Sequence, residues 1–370
     1  MIEFGLYMAK TTKQQLALAI SLTSLCAGAH ADEAGFNYAA TADTLPAGEN
    51  EFYTQLTHRW DKTIGSYRGN DLILKWEHGA TDKLTTELAI EAFDLSARNA
   101  FPLDANGNEV YPRNIDVRKI SAYKAAVKYN FLSVYKDGIG LAIDFETLYR
   151  TWYPRVDGAR TRQISLEPKL ILQKNYLDDQ LVTVFNLAIE SERRKFPDAD
   201  NAVENEFAIK MAAAANYRFA PNFYAGIETL RTSDVLNGVY NHYAFFAGPT
   251  MTYGSEKFHI TATYLRQLQG SPSYSRAAYP DGVDPQTSAG FDNDLHLEED
   301  TKNEFRVKVG FNFKYLCVTI ASLLIIASLH CVAHRWLYMH PLAMPQSILM
   351  SHKPKPLLRQ ACCLARSQKL

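Results

Sequence analysis

The sequence predicts an all-β fold. It is a transmembrane, antiparallel up-and-down β-barrel of about twelve strands, followed by a non-barrel tail with helical character. Three observations lead there. Segments of period-two alternation, each about ten residues or longer, follow one another from residue 50. The connections between them alternate long and short. Residues 32–313 contain no cysteine and no helical periodicity, which disfavours α/β and α+β arrangements.

The N-terminus has the three parts of a secretory signal in order. Lys10 and Lys13 supply a basic region, residues 16–25 a short apolar core, and Ala29-His30-Ala31 a small-x-small cleavage site. Residues 1–31 are therefore expected to be removed on export through the general secretory pathway, with Ala29 and Ala31 marking the cut. Residues 32–49 then form an N-terminal periplasmic segment, and residues 50–313 the barrel.

The twelve segments are 51–60, 70–78, 83–95, 119–131, 139–151, 163–174, 180–192, 205–219, 223–233, 242–253, 258–268 and 303–313. In the eighth, Phe207, Ile209, Met211, Ala213, Ala215, Tyr217 and Phe219 share one face, and Lys210 and Arg218 lie on the other. In the fifth, Ile139, Leu141, Ile143, Phe145 and Tyr149 oppose Asp144, Glu146 and Arg150. Strands of a soluble sandwich are usually shorter, about 5–6 residues. The connections 61–69, 96–118, 152–162, 193–204, 234–241 and 269–302 are long and polar, and those between them are tight turns. Pro168 and Pro249 fall inside segments and are expected at bulges or strand ends, because a missing N–H breaks a ladder bond. Trp60, Trp76, Tyr129, Phe131, Trp152, Tyr217 and Tyr253 sit near segment ends, where amphipathic rings favour a membrane interface.

Charge divides the chain. Residues 32–313 carry 30 basic and 39 acidic residues, whereas 314–370 carry seven Lys or Arg and no acid. Residues 315–333 are free of formal charge and long enough for a transmembrane helix. Such a helix would hold an exported barrel in the inner membrane. The tail is therefore read as translation past an earlier stop after Phe313.

Alternation also assigns the inward face. Glu87, Glu91, Lys124, Lys128, Asp144, Glu146, Arg150, Glu167, Lys169, Glu190, Lys210, Arg218, Glu228, Arg306 and Lys308 are expected to line the pore, together with Arg59, Lys75, Glu77 and Glu304. An Arg or Lys on the lipid face would cost about 2–4 kcal/mol at the bilayer midplane, so these charges belong inside. Two functions fit them: a polar path for small solutes, or a lumen plugged by salt-bridged side chains.

Residues 305–313, FRVKVGFNF, end on an aromatic and present Phe305, Val307, Val309, Phe311 and Phe313 in one outward row. With the strand pattern, this resembles Gram-negative outer-membrane β-barrel proteins of porin-like type. The resemblance implies an outer-membrane location and contact with outer-membrane lipid and lipopolysaccharide. It also implies that the final strand is read by the barrel-assembly machinery. In that family the last Phe normally ends the chain, and its usual Gly position is not matched by Gly310.

The leading function is passive, porin-like transport of small polar solutes, without catalysis. An alternative is a barrel hydrolase acting on lipid or peptide, for which His242 and His259 are the nearest candidate bases. Neither sits in a recognisable nucleophile motif. A second alternative is a structural or surface-contact barrel. The stretches 103–110 and 292–300 carry acids at spacings that a cation could use, but a solvated loop explains both, so no metal site and no cofactor is assigned. No phosphate loop or basic-aromatic patch points to nucleic acid.

Overall fold

The computed structural model describes residues 35–314 apart from 63, 102–108, 110, 200, 272–293 and 298. The leader with Ala29 and Ala31, most of the 103–110 stretch, part of 292–300 and the tail from residue 315 lie outside the described residues. Among the described residues no helix is long and apolar enough to cross a membrane.

Twelve antiparallel strands close on themselves. They are β1 (Asn50–Trp60), β2 (Ser66–Thr81), β3 (Leu84–Arg98), β4 (Asn114–Leu132), β5 (Gly140–Trp152), β6 (Arg160–Tyr176), β7 (Leu181–Phe196), β8 (Ala202–Ala220), β9 (Phe223–Leu236), β10 (Val239–Gly254), β11 (Phe258–Gly270) and β12 (Asn303–Phe313). Each pairs with its sequence neighbours, and β1 closes the ring on β12 from Asn50↔Phe313 to Trp60↔Asn303. Closure leaves no edge of unpaired N–H and C=O groups, the condition for a sheet to survive in lipid. One helical turn, α1 (Val134–Asp137), sits between β4 and β5 and stops at Gly138, φ 74°.

The strands are longer than the alternation suggested. β4 and β8 each have 19 residues, where a tilted strand needs about 9–11 to span a bilayer. The excess lies at the end that carries the long connections, called here the loop end. Several expected loops are therefore strand. The interval 234–241 shrinks to the two-residue turn Asn237-Gly238, with φ of 50° and 84°. Both central residues take positive φ, as a type I′ hairpin turn requires, and Asn-Gly is its preferred pair.

The prolines depart from expectation as well. Pro168 pairs with Phe145 inside β6, and the β6–β7 ladder skips it while keeping the same register on either side. Pro249 pairs with Ile227, and the β10–β11 ladder skips Gly248 and Pro249 in the same way. Each removes bonding on one side only, with neither a bulge nor a strand end.

The outer surface is apolar. Leu88, Ile90, Tyr123, Phe145, Ile164, Phe207, Ile227 and Met251 are all exposed on it. Near the end with short connections, the turn end, Phe219, Phe223, Tyr253, Phe258 and Phe311 form a chain of ring contacts across β8 to β12, with centroids 4.9–6.2 Å apart. Trp60 contacts Tyr264 at the loop end. Two aromatic zones flanking an apolar band are the outer surface that a membrane barrel needs.

Candidate functional site: a charged chamber inside the barrel

Inward-facing residues surround a cavity of about 460 Å³. Eleven Lys or Arg and fourteen Asp or Glu line it, so both signs interleave with a small acidic excess. Register decides the pairing. Lys128 on β4 lies opposite Asp144 on β5, and Ala126 opposite Glu146, so Lys124, one inward step away, reaches Glu146 at 2.8 Å. Lys124 also meets Glu91 of β3 at 3.1 Å, and Arg150 of β5 meets Glu91 at 3.1 Å. Further round, Lys169 bridges Asp144 (3.4 Å) and Glu167 (3.3 Å), and Lys210 bridges Glu167 (2.8 Å) and Glu190. On the β2–β3 side Lys75 pairs with Glu77 and Glu87. The result is a belt of alternating charge from β2 to β8. Lys75, Lys124, Lys169 and Lys210 each serve two carboxylates, which offsets the cost of withdrawing these groups from bulk water.

The turn end of the chamber is occupied by the chain itself. Residues 35–49 run inside the barrel before β1 begins, rather than beneath it. The amides of Asn37, Tyr38 and Ala39 all donate to the Glu228 carboxylate, at 2.6–3.2 Å. Onward, the amides of Ala40, Ala42 and Leu45 donate to Asn186, Gln173 and Thr85 at 2.6, 2.8 and 2.9 Å. In return Asn186 and Asn130 donate to the carbonyls of Ala40 and Ala42, and Arg306 and Lys308 to those of Asn37 and Phe36. The Arg306 guanidinium also lies 3.8 Å over the Tyr38 ring. A non-strand segment buried in a lumen needs partners for its backbone groups, and here polar side chains from several strands supply many of them. Gly79 is required for the exit: a Cβ there would stand 2.1 Å from the Pro46 carbonyl oxygen.

The loop end is built differently. Tyr153, Pro154 and Arg155, between β5 and β6, and Glu299 and Asp300, before β12, line the cavity there. The Tyr153 hydroxyl donates to Glu299 at 2.6 Å, and Arg155 donates to Asp300 at 3.2 Å. Lys62 donates to the carbonyls of Leu297 and Asp300 at 3.1 and 3.0 Å and lies over the rings of Tyr67 and Phe101. Burial pushes the Tyr153 hydroxyl well above its usual value, so it acts as a donor at neutral pH. Burial also raises the Asp300 carboxyl, against the pull of Arg155. At Glu299 the same burial is outweighed by His242, Arg194 and the Tyr153 hydrogen bond, and its carboxyl lies below the ordinary range.

Of the residues expected to line the pore, Glu87, Glu91, Lys124, Lys128, Asp144, Glu146, Arg150, Glu167, Lys169, Glu190, Lys210, Arg306 and Lys308 lie on the cavity wall. So do Arg59, Lys75, Glu77 and Glu304. Glu228 points inward but lies beneath the 37–39 backbone, fully buried. Arg218 does not reach the cavity. It sits near the turn-end rim, where its guanidinium donates to the Asp178 carbonyl at 3.5 Å, because it is close to the end of β8. Phe305, Val307, Val309, Phe311 and Phe313 alternate with the inward Glu304, Arg306 and Lys308 on β12. His259 is buried beside Glu51, 3.3 Å away, and His242 beside Asp234, 2.8 Å away.

The sequence reading missed Arg194. This nearly buried cation on β7 holds Glu192, Glu204 and Glu206 at 2.8, 3.4 and 3.2 Å and lies 4.3 Å over the Tyr153 ring. The alternation Ala188, Glu190, Glu192, Arg194 continues unbroken into the interval 193–204 expected as a loop, and that is the available signal. The inward path of 35–49 and the inward turn of 153–156 and 294–301 carry no periodicity from which to read them.

Several solved structures with a similar barrel are outer-membrane channels or porins. The COG4313 outer-membrane channel from Pseudomonas putida F1 superposes with a TM-score of 0.49 at 11% identity, covering 74% of this chain and 98% of that one. The NanC porin gives 0.42 at 11%, covering 71% and 100%. A deletion mutant of the TodX monoaromatic hydrocarbon channel gives 0.41 at 10%, covering 79% and 100%. No curated relative matches the sequence. One family model does match, over residues 28–313, and it ends on the last residue of β12. The chain accordingly belongs to the family of unknown function DUF6662.

Proposed function

We propose that the protein is an outer-membrane, porin-like channel through which small polar solutes cross passively. The observation that carries this reading is the chamber: a cavity of about 460 Å³, lined by charges of both signs, inside a barrel whose outer surface is apolar. A wall of fixed charge solvates a polar solute in place of water, while the apolar exterior holds the barrel in lipid. Twelve strands leave room for a narrow path, whereas wide aqueous pores need roughly 16. The solutes are therefore small, and the acidic excess favours cations modestly.

In this reading residues 1–31 are the export leader, cut after Ala31. The outward row of Phe305, Val307, Val309, Phe311 and Phe313 is what the assembly machinery reads, and lipopolysaccharide surrounds the loop end. A second reading, a structural barrel without conduction, is favoured by the doubly paired Lys124, Lys169 and Lys210 and by the occupied turn end. A hydrolase would need a nucleophile beside His242, whose ring nitrogens meet Asp234 and Asn241.

Planar-bilayer recording separates these readings. A channel gives discrete current steps, and Lys124→Glu increases its preference for cations. Silence from a correctly folded barrel, together with unchanged liposome swelling, would leave the structural reading standing.

A further inference from the structure

The outer wall carries a group of cations that the chamber does not use. On β6 the outward row Leu172, Leu170, Pro168, Leu166 and Ile164 is apolar, and toward the loop end it gives way to Arg162 and Arg160. On β7 the matching row Phe185, Leu187 and Ile189 passes through Ser191 to Arg193 and Lys195. Register sets these cations side by side: Arg162 lies directly opposite Lys195, and Arg193 opposite Ile164. The alternate residues, Gln163 and Arg194, face inward and bond to each other and to Glu192. Arg160, Arg162 and Arg193 are exposed, and Lys195 is half-buried.

Like charges directly opposite one another on two strands repel. Among the described residues none of these four cations forms an ion pair, whereas Arg118, also at the loop end, is held by the opposing Asp94 at 3.3 Å. A cation on the lipid face is costly at the bilayer midplane and nearly free at the interface, so the four mark where the apolar band ends. One outward step toward the turn end, the wall is hollowed. Ser191 lies opposite Leu166 on one side and Phe207 on the other, and its short side chain leaves a depression of about 450 Å³. Ile164 and Val235 extend its apolar sides, and Arg193 lines its rim. An apolar hollow ending in unpaired cations fits an amphiphile with an acyl chain and a phosphate head, since guanidinium groups hold phosphate through paired, charge-assisted hydrogen bonds.

We propose that Arg162, Arg193 and Lys195, with the hollow at Ser191, bind a phosphorylated, multiply acylated glycolipid of the outer leaflet, the membrane anchor of lipopolysaccharide. Its phosphates sit on the three side chains and one acyl chain lies in the hollow. Three cations on two adjacent strands match a headgroup with more than one phosphate better than the single phosphate of a glycerophospholipid. Placing this end in the outer leaflet rests on the outer-membrane reading above, and the binding does not depend on conduction.

The test is a titration of the full chain in detergent, read by native mass spectrometry, with bisphosphorylated lipid A, its dephosphorylated form and phosphatidylglycerol. The expected result is one tightly held lipid A on the unmodified chain and weaker binding of the other two. Arg193→Gln weakens lipid A binding about fivefold, and the combination of Arg162→Gln, Arg193→Gln and Lys195→Gln about a hundredfold. Ser191→Phe fills the hollow, keeps every charge and also weakens binding. Arg118→Gln, at a cation that is already paired, leaves it unchanged. Heat-modifiable migration on gels confirms that each variant is folded. Lipid A binding as tight in the triple variant or in Ser191→Phe as in the unmodified chain would overturn the proposal. So would equal binding of the dephosphorylated lipid or of phosphatidylglycerol. Density fractionation of cell membranes reads location separately, so a barrel that reaches the outer membrane yet holds no lipid A overturns this site alone.

Discussion

The two ends of the chamber are narrowed by opposite means. At the turn end, residues 35–49 are continuous with β1 and are bound through their backbone, amide by amide, to Glu228, Asn186, Gln173 and Thr85. At the loop end, separate connections meet through side chains: Tyr153 with Glu299, Arg155 with Asp300, and Lys62 with two carbonyls. A backbone held by multiple side chains has few alternatives, since moving it strands several amides at about 1–3 kcal/mol each. A handful of side-chain contacts between connections can part and re-form, and the charged ones weaken as salt rises. The comparison assigns the fixed constriction to the turn end and the adjustable one to the loop end.

The sharpest way to break that contrast is to remove the fixed half. Deleting Phe36–Leu45 should widen the path and raise single-channel conductance several-fold while the twelve strands remain. Conductance together with the circular-dichroism strand signal checks this, and an unchanged current would place the narrowest point elsewhere. Next in size is Arg155→Ala, which removes the ion pair that ties the 153–156 connection to Asp300. Conductance should rise by less than in the deletion, roughly twofold at low salt, with the difference from the unmodified chain fading at 1 M salt. No salt dependence would argue that Arg155 does not restrain the loop end.

A smaller effect is expected from Asn186→Ala. It removes one acceptor and one donor on Ala40 and should lower stability by about 1–3 kcal/mol in urea unfolding, with a modest rise in conductance. The smallest belongs to a control in the β9–β10 turn, which makes none of the contacts described at either end. Gly238→Ala forces a Cβ into φ 84° and should cost about 1 kcal/mol, with conductance unaltered.

Much of the wall was readable in advance, because alternation is a physical requirement there. Lipid on one side and water on the other sort residues with period two, so Lys124, Glu146 and Glu167 could be placed facing inward from sequence alone. The same rule failed at the margins. Arg218 has inward parity but lies too close to the end of β8 to reach the cavity, since parity gives a face and not a depth. The interval 234–241 looked like a polar loop, although its Asn237-Gly238 pair is a hairpin signal in its own right.

What no pattern could show is the path of the non-strand segments. GFNYAATADTLP has no periodicity, and its place is fixed by partners as much as 272 residues away, such as Lys308 on the Phe36 carbonyl. The meeting of His242 with His296 and Asp300 at the loop end is of the same kind. It depends on a bulge at Asn241 and on how a connection folds back, neither of which composition records.

The central claim is that the chamber conducts and that residues 35–49 set its narrowest point. Single-channel recording of the unmodified chain beside Glu228→Ala tests it most directly. That change removes the carboxylate shared by three backbone amides and leaves the strands paired. The account predicts discrete steps from the unmodified barrel and larger, noisier steps from the variant. Steps of the same size in both, or no steps in either from folded protein, would contradict it.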